Sequence, residues 1–194
     1  MRPALMLLLL LTFALYGTIA RTVASPLGMS AADPHVFDGG MFFSEEAVSE
    51  ADDIIRDMKR AYGRDLVVET YHGIPDPMKE DLARDGKEKF FENWLNRRAK
   101  QLGVRGVFVL MTREPGRVQV GVDKTTRQRA FTVADGEALR EILVSAFRAK
   151  EFDRGLLGGA RFVRARMGDN AAAERSPAVP VVTAAAPSKH RFSR

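Results

Sequence analysis

Four acidic residues stand in the polar segments that separate the apolar stretches of this chain: Asp38, Asp76, Glu114 and Asp123. Carboxylate oxygens are hard donors, and calcium takes roughly six to eight oxygens in a flexible shell, so these four form the candidate set for a bound Ca2+. None of them lies in the constrained spacing of an EF-hand loop. Arg113, Arg127 and Arg129 occur in the same segments and are candidates for bidentate contact with a carboxylate or phosphate on a partner. Phosphoryl transfer asks for more, namely an activated attacking group and cations for the phosphoryl oxygens. Asp123 and Thr126 are the attacking candidates, but the sequence shows nothing that activates them, and no catalytic set is assigned. The chain has no cysteine, which removes disulfides, thiolate metal sites, cysteine nucleophiles and lipid acylation at cysteine. Its histidines, His35, His72 and His190, are far apart and lack HExxH spacing, which argues against a zinc hydrolase.

Placing these residues requires the elements around them. Ser44 reads as an N-cap with Glu45 and Glu46 behind it, followed by an unbroken apolar stripe from Ala47 to Tyr62 and a stop at Gly63. Leu66–Tyr71 is a β-branched strand, and His72–Pro77 a Gly- and Pro-containing loop. Met78–Asp85 and Lys87–Leu102 read as helices, the second with a core stripe of Phe90, Phe91, Trp94, Leu95 and Ala99. Gly106–Thr112 is a continuous apolar run, the mark of a strand covered on both faces, and Val118–Val122 alternates as its hairpin partner after the turn Arg113–Gly116. Lys124–Arg129 reads as a basic loop, Asp135 as a helix start, 136–150 as an amphipathic helix and 152–167 as a last helix. The small residues of Gly155–Ala160 are suited to close helix packing. Strands and helices interleave, so the expected class is α/β: a small central β-sheet flanked by helices on both faces, a three-layer α/β/α sandwich. In such sheets ligands gather at the carboxyl ends of the strands, where His72, Asp76, Thr112 to Glu114 and Asp123 to Arg129 are expected, with Asp38 beside them.

The termini have a different character. Residues 3–20 are apolar behind a single Arg2, and small residues follow at Thr18-Ile-Ala20, Thr22-Val-Ala24 and Ser30-Ala-Ala32. Residues 1–24 therefore read as a signal peptide or an N-terminal membrane anchor, and either would export the remainder of the chain. Residues 25–33 read as a linker. Residues 168–194 are rich in Ala, Pro, Ser and Val and read as a disordered tail. The formal charge is +5, of which the first 24 residues and the last 27 each carry +2, leaving +1 for 25–167. A nucleic-acid partner needs a clustered basic excess that this central block lacks.

In this order, Val36-Phe-Asp-Gly-Gly40 with Ser44-Glu-Glu46, Asp65-Leu-Val-Val-Glu-Thr70, Phe91-Glu-Asn-Trp94, Gly106-Val-Phe-Val-Leu-Met111 and Phe147-Arg-Ala-Lys-Glu-Phe-Asp-Arg-Gly-Leu156 resemble a TPM domain over residues 34–167. The family takes its name from a thylakoid-lumen protein of photosystem II repair, a related photosystem protein and a modulator of acetylcholine receptors. The chain is similar to a divergent branch. Arg113-Glu-Pro-Gly116 stands where members often have Asp-Arg, Asp123-Lys-Thr-Thr-Arg127 where they have Gly-Tyr-Gly-Leu-Glu, and Trp94-Leu-Asn-Arg97 where they have Trp-x-Ile-Gly. Thr126–Thr132 is its local hallmark. The resemblance implies an extracytoplasmic, membrane-associated domain that assists assembly, repair or regulation of membrane proteins. Some members are described as weak acid phosphatases, so a phosphatase dependent on divalent cations is the alternative, and some as binders of cations such as calcium.

Overall fold

The computed structural model describes residues 36–175; the leader within 1–24, the linker over 25–33 and the tail from 176 onward lie outside the described residues. Helix α1 (Glu45–Tyr62) forms where its stripe requires it. The Ser44 hydroxyl accepts from the Ala47 N–H, and Gly63 closes the helix at φ 62°, donating its N–H to the Lys59 carbonyl.

Four strands form one sheet in the order β1 (Val36–Asp38), β2 (Asp65–Gly73), β3 (Gly106–Glu114) and β4 (Arg117–Val122). The first three run parallel, and β4 returns antiparallel to β3. β3 is buried continuously from Gly106 to Thr112, as an apolar run covered on both faces should be. Alternation along the strands divides two cores. Val36, Val68, Val107, Val109 and Met111 pack with α1, α5 (Val133–Arg148) and α6 (Phe152–Arg175). Val67, Phe108 and Leu110 pack with Phe90, Phe91, Trp94 and Leu95 of α3 (Lys87–Gln101). A single 3-10 turn (Asp76–Met78) and α2 (Lys79–Asp85) precede α3. The result is the three-layer α/β/α sandwich.

Helices α1 and α3 lie on opposite faces, although the strands they join step across the sheet in one direction. The two crossovers therefore have opposite hands, and one is left-handed against the strong right-handed preference of βαβ units. The three-residue β1 carries little of the twist that normally selects the hand.

Several sequence expectations are corrected here. β2 continues to Gly73, so His72 sits on the strand and not in the following loop. Lys124–Arg129 is a helix, α4, because Asp123 accepts the N–H groups of Thr125 and Thr126 and caps it. Asp135 does not start α5: Thr132 is the N-cap, and Asp135 completes a capping box from the third helical position. Residues 168–175 are not part of a tail. α6 runs unbroken to Arg175 on the strong helix formers Ala171, Ala172 and Ala173, while Asn170 donates to the Ala130 carbonyl at 3.0 Å. The small residues of α6 do permit close packing: a Cβ at Gly155 would sit 2.9 Å from Ala146 Cβ of α5.

Candidate functional site

At the carboxyl end of β1 the chain turns sharply and fixes its next aromatic residue. Asp38 accepts the N–H groups of Phe42 at 3.0 Å and Phe43 at 2.8 Å, and it also accepts the Thr70 hydroxyl. Thr70 in turn accepts the Gly40 N–H at 2.9 Å. A Cβ on Gly40 would lie 2.7 Å from the Phe42 ring and 2.9 Å from the Tyr71 carbonyl carbon, so only glycine fits that close approach. Both carboxylate oxygens of Asp38 are thus spent on building a turn.

The turn delivers Phe42 into a cleft of about 360 Å³ at the carboxyl end of β3. The short connection from α5 to α6 brings Phe147 and Phe152 to meet it, with ring centroids 5.7 Å and 5.5 Å from Phe42 and 5.2 Å from each other. Arg113 spans the rings, its guanidinium 4.5 Å from the Phe42 centroid and 5.8 Å from that of Phe152. It donates to the Met41 carbonyl at 2.9 Å and more loosely to that of Gly40 at 3.3 Å. Met111, Thr112, Gly116, Arg117, Val118, Val144 and Arg148 complete the lining, and no acidic side chain among the described residues contributes to it. Arg117 shares its charge with the exposed Glu88, whose carboxyl it holds below its ordinary value, and it lies 5.5 Å from the Phe91 centroid. Its Nε is buried without a hydrogen-bond partner among the described residues. Arg113 and Arg148 have no ion-pair partner among the described residues. A largely apolar cleft edged by the uncompensated guanidinium groups of Arg113 and Arg148 suits a ligand that joins an apolar group to a carboxylate or phosphate.

The sequence candidates are distributed differently from expectation. Of the arginines, Arg113 is at the cleft. Arg127 and Arg129 lie on α4 at the opposite edge of the sheet, Arg129 within 4.0 Å of Glu174 on α6. β4 is antiparallel, so its carboxyl end lies beside the amino end of β3, and the Asp123 N–H bonds the Gly106 carbonyl at 3.0 Å. Asp123 is therefore separated from Glu114 by the length of β3, about 25 Å for nine residues. Asp76 is exposed and paired with Lys79 at 2.7 Å, which pulls its carboxyl below its ordinary value, chiefly through that hydrogen bond. Asp38, Asp76, Glu114 and Asp123 do not converge, and among the described residues no group of three or more His, Cys, Asp or Glu is placed to hold a metal ion. The four do not make one calcium shell. The Thr126 hydroxyl, a candidate attacking group, is fully buried. It and Asp123 Oδ2 are both without a hydrogen-bond partner among the described residues.

Sequence reasoning missed the cleft residues Phe42, Arg117, Phe147, Arg148 and Phe152. The signal was present in the hairpin, which sets Arg117 opposite Thr112 at the strand end. It also missed a buried ionic cluster on the α3 face. Glu69, on β2, is 3% exposed and accepts a forked contact from Arg98 of α3, at 2.8 Å from Nε and 2.6 Å from Nη2, and the Tyr71 hydroxyl at 2.9 Å. Burial, then the Glu69 charge and hydrogen bond, push the Tyr71 phenol up to about 12.

No family model and no curated protein matches this chain. Solved structures do share its fold. The N-terminal domain of a protein from P. gingivalis aligns over 72% of this chain and 86% of its own, at TM-score 0.55 and 16% identity. The N-terminal domain of the cg2496 protein from Corynebacterium glutamicum aligns over 84% of this chain and 90% of its own, at TM-score 0.50 and 13% identity. Identities this low carry the fold and nothing more. Among the described residues, no helix is long and apolar enough to cross a membrane.

Proposed function

We propose that this chain is an extracytoplasmic, membrane-associated docking domain of the TPM type, which binds a membrane protein to assist its assembly, repair or regulation. The observation that carries the reading is the cleft, in which Phe42, Phe147 and Phe152 meet Arg113 and Arg148, with no acidic side chain of the described residues in the lining. Three further points support it. Of the motifs that resemble the family, 147–156 supplies Phe147, Arg148 and Phe152 to the cleft, and 36–40 supplies Asp38, which fixes the turn that carries Phe42. The apolar residues 3–20 read as an export signal or anchor. The fold is shared with N-terminal domains of proteins from P. gingivalis and Corynebacterium glutamicum.

Site-specific photocrosslinking in cells tests the reading. A crosslinker in place of Val144 should capture an integral membrane protein, Arg148→Glu should abolish the adduct, and a crosslinker at Glu174 should not give it. The same adduct from both positions would contradict the proposal. So would turnover of a phosphate ester by the purified full-length chain that Arg148→Glu removes, since that would make the cleft an enzyme site.

A further inference from the structure

The cleft opens onto a second feature, the outer edge of β4. In the antiparallel register the hydrogen bond from Asp123 N–H to Gly106 C=O makes 106–123, 108–121, 110–119 and 112–117 the bonded pairs. The N–H and C=O groups of Val118, Val120 and Val122 therefore point away from β3, and β4 is the last strand of the sheet. These groups have no hydrogen-bond partner among the described residues. All six residues of β4 are half-buried, so this edge lies in a recess, not on a convex surface. The cleft adjoins it at Val118, and a second hollow of about 300 Å³ adjoins Gln119–Val122. The exposed Val133 of α5, 58% accessible, borders the second hollow.

An unpaired strand edge is satisfied by another backbone, which a lipid headgroup cannot supply. Charge selects the kind of backbone. Around Val118 the lining is cationic, with Arg113 and Arg148, whereas around Val122 Arg127 and Arg140 meet Glu92 and Glu137. We infer that the β4 edge takes up an extended acidic peptide segment of a partner protein as a fifth strand, seating one of its apolar side chains in the cleft and its carboxylates against Arg113 and Arg148. The inference rests on the docking reading above and adds the mode of recognition. About five peptide residues are enough to span Val118 to Val122, a length of about 14 Å.

The test is hydrogen exchange on the full-length chain in detergent, using as probe an eight-residue peptide of alternating glutamate and valine. Slower exchange at the Val118, Val120 and Val122 amides, with the already bonded Gln119 and Gly121 amides unchanged, supports strand addition. Val120→Pro removes an outward donor without touching the β3 ladder, and should weaken binding about tenfold while leaving the melting temperature near that of the parent. If that variant does not fold, the unaltered chain is tested with the peptide N-methylated at alternate residues, which should show the same loss. Binding that responds to Arg148→Glu but not to Val120→Pro or to N-methylation overturns strand addition and leaves the cleft reading in place. Equal binding of a lysine–valine peptide overturns the acidic specificity. Protection of the same amides by self-association at high concentration makes a second copy the occupant and overturns the proposal. No binding of the probe to the unaltered chain overturns the strand-addition inference, while the docking reading stands or falls by the crosslinking at Val144.

Discussion

Arg98 is held between two tasks, fixing α3 to the sheet and neutralising a carboxylate that has lost its water. Arg98→Ala leaves Glu69 buried and unpaired, and should cost about 3–5 kcal/mol of unfolding free energy in a denaturant titration. Tyr71 belongs to the same cluster and gives it a pH signature. Its folded phenol titrates at about 12 against an ordinary 10.0, so the unfolded chain releases this proton first as the solution becomes alkaline. The cluster's stabilisation is complete below pH 10 and is lost as pH rises towards 12, and Tyr71→Phe should remove that part of the alkaline loss in melting curves. Gly40 acts on the cleft itself. Gly40→Ala should cost about 1–3 kcal/mol through overpacking against Phe42 and Tyr71, and it should shift the Phe42 ring resonances as the turn yields.

At the scale of elements, α6 depends on its last two turns. Asp135 caps α5 and receives Arg166 at 2.7 Å, and Asn170 donates to it at 3.4 Å and to Ala130 at 3.0 Å. Burial alone would raise the Asp135 carboxyl, but the Arg166 and Thr132 hydrogen bonds outweigh it and hold the group below its ordinary 3.8. Its contribution is therefore present above pH 3.8 and lost as pH falls below that value, a loss that Asp135→Asn should not show in acid melts. Asp135→Ala removes the capping box and leaves the partly exposed Arg166 only its 3.6 Å pair with Asp169, and should cost about 2 kcal/mol at neutral pH. A chain ending at Met167 should melt at a lower temperature than one ending at Arg175, because it loses the Asn170 anchor. The elements themselves were largely legible in the sequence. Ser44 and Gly63 bracket α1 as their chemistry requires, and the run Gly106–Thr112 is the buried strand. Two things were hidden. Six residues make α4, too short for an apolar stripe, and only the cap at Asp123 marks it. The alanine-rich stretch after Gly168 has the composition of a tail, and its helix rests on contacts to Ala130 and Asp135 that are distant in sequence.

For the molecule as a whole, the layered class follows from interleaving, but the site depends on strand direction. The hairpin is readable from Arg113–Gly116, and its consequence is that the segment directly after β4 starts from the opposite edge of the sheet. Asp123, Arg127 and Arg129 leave the carboxyl edge for that reason, and Arg148, brought back to it at the end of α5, joins Arg113 there. Sidedness is a separate property of the whole chain. Because there is no native cysteine, Glu174→Cys creates a unique thiol. An impermeant maleimide should label it in intact cells or spheroplasts without lysis; labelling only after lysis would contradict an extracytoplasmic location. The most direct test of the central claim is an NMR titration of the full-length chain with the glutamate–valine peptide, followed at the rings of Phe42, Phe147 and Phe152. The account predicts saturable shifts confined to those rings and the neighbouring β4 edge, weakened about tenfold by Arg148→Glu and further by added salt. Shifts centred on α4, or a titration indifferent to Arg148, would contradict it.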